Sequence, residues 1–390
     1  VRTPQRPLLS AQVRRIGSAD CVLSYTIEVE QPTSISHTTP IPPIEGAVYP
    51  AAREADTLAG AAAFLTRWLE EHIAFNAVAA IGHRVVHGLD HTHAALIDEA
   101  LLQQLRDSLA YDPDHVPGEL ALIEQFRKTH PQIPQVASFD TAFHHTLPDL
   151  ARRLPLPRRF HEQGIRRYGF HGLAYTSVLE KLMCYAPPDD ARGRCILAHL
   201  GSGASITAVR SLQSIDTSMG FTPAGGLVMG TRSGDLDPGL VPYLQQQEQL
   251  SPQAFNDLVN HQSGLLGISG TSSDMEDLLT KEGAEHRAAQ AIALFCYQVK
   301  KYIGSYAAVL GGLDLLAFSG GIGENAAPIR SRICAGLEFL GIELDEVRNE
   351  RNSQHISTDS SRVPVYVVSA DEEHIIARNT AKIFTNLNTA

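Results

Sequence analysis

The sequence has no pair of cysteines close enough to clamp a metal or staple a loop. Cys21, Cys184, Cys195, Cys296 and Cys334 are scattered singly through 390 residues and never form C-x-x-C. That spacing argues against a zinc ribbon or a disulfide framework and suits a reducing, cytoplasmic compartment. Long apolar runs are missing too. No stretch approaches the roughly 18 consecutive apolar residues of a membrane helix. The first fifteen residues are polar, carry four arginines and lead into no apolar core, so no secretory leader is expected. Cations are the scarcer charge, 32 Lys and Arg against 43 Asp and Glu, for a net charge of −11. Such a chain offers nucleic acid and anionic membranes no electrostatic footprint, so an anionic substrate must be held by a local cluster of cations. Two catalytic signatures are also absent. Without Gly-x-Ser-x-Gly a serine hydrolase is disfavoured, and no glycine run ends in the lysine of a Walker A loop.

What remains is ordinary globular material. At 43% hydrophobic and 19% charged the bulk of the chain is not disordered, and its length suits two or three domains. Residues 57–73 set Leu58, Ala61, Leu65, Trp68, Leu69 and Ile73 on one helical face, with Asp56 as an N-cap. The apolar run 77–81, bounded by Gly82, reads as a buried strand. Helices are expected at 96–109 and 118–128 and another strand at 133–139. In the second half, strands are expected at 195–200 and 205–209 around a glycine turn, a long helix at 286–310, strands at 313–318 and 363–369, and a last helix at 372–384. Glycine-rich loops fall at 220–239, 264–270 and 319–323, and proline clusters at 31–50 and 148–157 are candidate linkers. This alternation indicates an α/β fold.

Seven stretches carry residues suited to chemistry. In GHRVVHG, Arg84 leaves a buried strand beside two histidines. It either faces a ligand crevice or pairs with a structural carboxylate. Asp140, in SFDTAFH, ends another strand and could equally cap the segment after it. RRYGFHG sets His171 between glycines, which permit close backbone approach to a ligand. HLGSGASI is a hairpin whose amides can face phosphate oxygens, although G-x-G more often marks a plain turn. The stretch from Asp216 to Pro238 is too polar and glycine-rich to be needed for packing, and Arg232 within it suits an oxyanion or phosphoryl group. FSGGIGEN follows a strand and precedes a helix, as a nucleotide turn does. Asp371, Glu372 and Glu373 open the last helix, where carboxylates suit the helix dipole or a Mg²⁺ ion. His87, His91 and His93 lack helical spacing and cysteine partners, which argues against structural zinc.

Taken in order, GHRVVHG, FDTAFHHTLP, RRYGFHG, HLGSGASI, DTSMGFTPAGGLVMGTRSGDLDPG, SGLLGISGTSSD and FSGGIGEN resemble the acetokinase family. The resemblance runs from about residue 77 to the end and is weaker at 8–30. It implies an α/β fold of two related actin-like (ribonuclease H-like) domains with an interdomain nucleotide cleft. The first domain would be near 1–141 plus 372–390, and the second near 142–371. It implies a phosphotransferase that makes acetyl phosphate and ADP from acetate and ATP, reversibly, with Mg²⁺ (Mn²⁺ possible) as cofactor and a homodimer as the assembly. A carboxylate substrate is already ionised near pH 7, so this chemistry needs positioning and cations rather than a general base.

By the same resemblance, Arg84 binds the substrate carboxylate, and Val86, His115, Phe170 and Pro223 shape its pocket. Asp140, His171 and Arg232 are the catalytic group. His199, Gly201, Gly203, Gly321 and Gly323 lie on the nucleotide side, and Glu372 is linked to the metal. The chain also departs from the family. It has no opening strand with an Asn-x-Gly-Ser-Ser-Ser loop and begins instead in VRTPQRPLLSAQVRRIG. It has Asp-Pro-Asp-His-Val-Pro around His115, Ser202 where Asn is common, and Leu173-Ala174-Tyr175 where Thr-Ser-His is usual. A propionate or butyrate kinase, or a catalytically impaired acetokinase-like binding protein, is therefore the alternative expectation.

Overall fold

The computed structural model describes residues 9–14, 22–27, 44–48, 57–73, 75–387 and 389. They divide into two units. One comprises the described residues up to Val85, His93–Ser138 and those from Ile376 on; the other comprises Val86–Thr92 and Phe139–Ile375.

In the first unit, β1 (Leu9–Arg14), β2 (Val22–Ile27) and β3 (Ile44–Val48) form an antiparallel sheet in that order. β3 falls within the proline cluster at 31–50, the rest of which lies outside the described residues. The helix Leu58–His72 is capped by Thr57, whose Oγ1 accepts from Gly60 N–H at 3.1 Å. Asp56, the expected cap, lies outside the described residues. The buried face is Ala61, Ala62, Phe64 and Trp68, slightly rotated from the expected stripe, with Leu65 and Leu69 half-buried. Trp68 anchors that orientation by stacking on His72 at 4.3 Å and packing against Tyr25 at 5.1 Å.

β4 (Ile81–Val85), β5 (Ala95–Leu96) and β6 (Gln135–Phe139) make a second sheet with β6 in the middle. The strand expected at 77–81 thus begins only at Ile81, and Phe75–Ala77 is a 3-10 turn. Gly82 lies inside the strand rather than bounding it. A Cβ there would sit 2.4 Å from Thr380 Oγ1 and 2.7 Å from Ile376 Cγ2, so glycine lets the C-terminal helix lie directly on the strand. The helix expected at 96–109 starts at Glu99, because Leu96 belongs to β5 and Asp98 caps the helix by accepting from Leu101 N–H at 2.8 Å. The helix Val116–Thr129 buries Val116, Leu120, Ile123 and Phe126. His83, in β4, meets Gln135 Oε1 at 2.7 Å, and burial lowers its pKa to about 4.

In the second unit, β7 (Arg194–Leu200), β8 (Ala204–Arg210), β9 (Gln213–Thr217), β10 (Leu315–Ser319) and β11 (Val365–Val367) form one mixed sheet ordered β11-β10-β7-β8-β9. β7, β8 and β9 are antiparallel to their neighbours among themselves, whereas β10 runs parallel to both β7 and β11. The two-residue pleat divides the apolar runs between two faces. Ile196, Ala198, Leu200, Ile206 and Phe318 pack with the long helix His286–Leu310. Cys195, Leu197, Leu315 and Ala317 pack with Tyr175, Val178 and Leu182 of the helix Gly172–Tyr185. A sheet covered on both sides carries continuous apolar runs, and that is the pattern at 195–200 and 313–318. The glycine-rich stretch 264–270 is not a loop. Its Leu265 is buried, and residues Gly264–Ser269 are helical, as are Gly320–Asn325. No helix among the described residues is long and apolar enough to cross a membrane.

Candidate active site

Polar side chains enter the second unit's sheet where its cover ends. On the face covered by Gly172–Tyr185, β7 runs Cys195, Leu197, His199 and β10 runs Leu315, Ala317, Ser319. The polar members stand at the carboxyl ends of two parallel strands, where open α/β sheets hold ligands. His199 Nδ1 and Ser319 Oγ are 3.1 Å apart. His171 heads the covering helix from a left-handed backbone conformation, φ 59° and ψ 25°, which is uncommon outside glycine. The next residue explains how it is held there. Gly172 N–H donates to Asp140 O at 2.9 Å, and a Cβ at 172 would lie 2.1 Å from that oxygen. Asp140 itself is 1% exposed. The His171 ring lies 4.7 Å from that of His199, and its Nδ1 is 2.8 Å from Ser205 Oγ.

Arg232 reaches the same place from the loop 220–239. That loop is pinned by its own backbone. Met229 N–H donates to Arg232 O at 3.1 Å, Ser233 N–H to Val259 O at 2.9 Å and Gly230 N–H to Ser202 O at 2.9 Å. The guanidinium Nη1 donates to Pro223 O at 3.3 Å. A Cβ added at Gly203 would lie 3.5 Å from His171 Nε2 and 3.7 Å from Arg232 Nη1. Three separate motifs therefore converge on the tip of the β7–β8 hairpin: an imidazole, a guanidinium and a backbone with no side chain in the way.

Beside that tip is a cavity of about 470 Å³, within the range of small-ligand pockets. Gly201, Ser202, Gly321, Ile322 and Asn325 line it together with Asp274, Met275 and Leu279. Gly201 and Gly321 are expected nucleotide-side residues. Asp274, Met275 and Leu279 are lining residues that sequence reasoning missed. Their signal was the motif SGLLGISGTSSD, whose last residue, Asp274, caps the helix Met275–Lys281 by accepting from Glu276 and Asp277 N–H. His199 and Gly203 belong with His171 rather than to this lining. Gly323 is buried in its helix, and its carbonyl accepts from the wholly buried Arg330 at 2.9 Å. Glu324 Oε1 accepts from Gly320 N–H at 2.9 Å and Ala370 N–H at 3.3 Å, tying the glycine helix to the strand-end loop.

Of the expected substrate-side residues, Val86 and Phe170 share one apolar cluster with Tyr168 and Met219, and Pro223 is buried. His87 packs edge-on against Tyr168 at 4.5 Å. In the first unit, Arg84 is exposed between buried His83 and Val85. His115 precedes the helix Val116–Thr129 with its Nδ1 2.8 Å from Oδ1 of Asp112, which is 3% exposed. Asp112 is a partner that sequence reasoning missed, although the run Asp-Pro-Asp-His carried it. Glu372 is half-buried at the start of the helix Glu372–Leu387, and Asp371 caps that helix by accepting from His374 N–H at 2.9 Å. Among the described residues no group of three or more His, Cys, Asp or Glu side chains could hold a metal ion unaided.

The sequence signature of the acetokinase family is matched by residues 42–378. An acetate kinase of Rhodopseudomonas palustris (strain ATCC BAA-98 / CGA009) is 44% identical over 331 residues, 83% of this chain and 81% of that protein. An acetate kinase of Chloroherpeton thalassium (strain ATCC 35110 / GB-78) is 45% identical over 310 residues, 77% of this chain and 74% of that protein. Among solved structures, a propionate kinase from Francisella tularensis subsp. tularensis SCHU S4 superposes with a TM-score of 0.85 at 34% identity, covering 96% of this chain and 93% of that one. Porphyromonas gingivalis acetate kinase superposes with a TM-score of 0.82 at 34% identity, with the same coverage of 96% and 93%.

Proposed function

The chain belongs to the acetokinase family, and we propose that it transfers the γ-phosphoryl group of ATP to acetate, reversibly, giving acetyl phosphate and ADP. The observation that carries this reading is the convergence of His171 Nε2 and Arg232 Nη1 on Gly203, beside the cavity lined by Gly201 and Gly321. A carboxylate oxygen attacks the γ-phosphorus, and the bond from that phosphorus to the oxygen bridging to ADP breaks. The charge then spreads over the three phosphoryl oxygens, which call for fixed donors. Arg232 supplies a guanidinium, His171 an imidazole N–H, and the hairpin tip its backbone amides.

The remaining roles belong to the same proposal. Arg84 holds the acetate carboxylate, while Val86, His115, Phe170 and Pro223 bound its methyl group. His199, Gly203 and Gly323 support the nucleotide side with Gly201 and Gly321. Residues 1–141 with 372–390 serve as the first domain and 142–371 as the second. For Mg²⁺ the available donors fit in kind: Asp140 and Glu372 are hard oxygen ligands, and Mg²⁺ is commonly held by one or two carboxylates with nucleotide phosphates and water rather than by a protein cage. The ion would neutralise phosphate charge when bound. We further propose a cytoplasmic homodimer, supported by Leu236, Leu240 and Tyr243, large apolar residues left exposed close together in sequence on the second unit.

Trapping of acyl phosphate as the hydroxamate, with purified protein, ATP, Mg²⁺ and acetate, tests the proposal. Acetate-dependent hydroxamate is expected; ATP hydrolysis with none would overturn it. Preference for propionate is the second reading, favoured by the likeness to the Francisella propionate kinase.

A further inference from the structure

Behind His171 lies a short chain of hydroxyls that none of the site motifs assigns. We infer that Tyr175 and Ser205 fix the tautomer of His171, so that Nδ1 accepts a hydrogen bond and Nε2 carries the hydrogen toward Gly203 and Arg232. The effect on turnover rests on the phosphoryl-transfer reading; the order of protons does not.

Tyr175 lies one helical turn after His171, on the same face. Ser205 is on β8, opposite His199 in the strand register. Tyr175 Oη is 2.5 Å from Ser205 Oγ, and Ser205 Oγ is 2.8 Å from His171 Nδ1. Tyr175 and Ser205 are both 0% exposed. Among the described residues Ser205 Oγ is the only hydrogen-bond partner of the Tyr175 hydroxyl. A buried hydroxyl hydrogen without an acceptor is costly, so Tyr175 must donate to Ser205. Burial also raises the tyrosine pKa above its ordinary value, which keeps the hydroxyl a donor. Ser205 has one hydrogen of its own, and with Tyr175 donating to it, that hydrogen goes to His171 Nδ1. A neutral imidazole that accepts at Nδ1 carries its hydrogen on Nε2. The reverse order, from His171 through Ser205 to Tyr175, would leave the tyrosine hydrogen with no acceptor, and a doubly protonated ring fails for the same reason.

The consequence falls on the reacting centre. The fixed tautomer presents an N–H to phosphoryl oxygens, whereas the other would present a lone pair to an anion. Tyr175 and Ser205 are thus positioning residues. Tyr175 stands where the family usually has histidine, so this proton order belongs to this chain rather than to the motif around it.

The test is long-range ¹H–¹⁵N NMR on the full chain, with the His171 signals assigned by comparison with His171→Gln. The expected result is an unprotonated Nδ1 and a protonated Nε2. Tyr175→Phe frees Ser205 to turn its hydrogen. It should give a mixed tautomer and lower kcat roughly 10- to 100-fold, with the KM values for ATP and acetate little changed. Ser205→Ala, which removes the middle of the chain, should act in the same direction. A protonated Nδ1 in the unmodified protein would overturn the inference, as would Tyr175→Phe with unchanged tautomer and turnover. If the protein formed no acetyl phosphate, the kinase reading would fail while the NMR result still decided the proton order.

Discussion

β4 in the first unit and β7 in the second both deliver polar side chains to candidate sites, but by different rules. In β4 the side chains alternate: His83 and Val85 are buried, and Gly82 and Arg84 are exposed. In β7, residues 195–198 and Leu200 are all buried, and after Arg194 at its start only His199 near its end is partly open. A strand whose second face is covered only in part, by the C-terminal helix at Gly82, can present a polar group at the next position on that face. A strand covered on both faces can do so only where its cover stops. The cation of β4 is therefore set by register, and the imidazoles of the β7 site are set by the helix start that places His171 over the strand end.

The largest expected break in this contrast is at the strand-end site. Arg232→Ala should lower kcat by roughly 10²–10³ while raising the KM for ATP far less, because the lost donor acts mainly on the transition state. Steady-state kinetics of the purified variant would show this, and near-normal turnover would reject the role.

Two glycines sharpen the comparison through stability. At Gly172 an added Cβ meets backbone, Asp140 O at 2.1 Å, which cannot turn aside. Gly172→Ala should cost about 3 kcal/mol or more and unseat His171. At Gly82 the nearest obstacle is the Thr380 side chain, which can change rotamer. Gly82→Ala should cost only about 1–2 kcal/mol. Urea unfolding of the two variants side by side measures the difference, and equal losses would contradict the assignment of one clash to backbone and the other to side chain.

Each unit also holds a buried histidine whose proton affinity is lowered by burial. Burial lowers His83 and His144 from 6.5 to about 4. Above pH 6.5 neither folded nor unfolded chain binds these protons. As pH falls toward 4 the unfolded chain takes them up first, so stability declines, and below 4 these two groups add no further loss. At pH 5 each should account for about 2 kcal/mol. Unfolding of His83→Gln and His144→Gln at pH 7 and pH 5 should show a shallower loss than the unmodified protein; an unchanged slope would remove these groups from the account.

How far the sequence revealed this arrangement differs between the units for the same reason that β4 and β7 differ. In the second unit, runs at 195–200 and 205–209 and the helix at 286–310 fall within a residue of the observed elements, because two-sided burial leaves long, unbroken apolar signals. In the first unit the strand at 81–85 was displaced, since the glycine that seemed to end it is there to admit Thr380, nearly 300 residues away in the chain. The candidate site residues were legible where glycine, arginine and histidine stand in dense motifs. Their partners were not. Asp112 behind His115, Glu324 under the glycine helix and Ser205 behind His171 look like ordinary polar residues until the fold brings them within hydrogen-bond distance.

The smallest expected effect concerns the apolar cluster shared by Val86 and Phe170. Val86→Ala should narrow the preference for acetate over propionate by a few-fold, a fraction of the roughly 10–200-fold that one methylene can be worth in such a pocket. An untouched preference would mean that another wall sets it.

The central claim is that the chain phosphorylates acetate in preference to longer acids. It is tested most directly by kcat/KM for acetate, propionate and butyrate at one fixed ATP and Mg²⁺ concentration. The account predicts acetate first, propionate second and butyrate poor. Equal or higher values for propionate would contradict it, and would assign the protein to the propionate-preferring branch of its family.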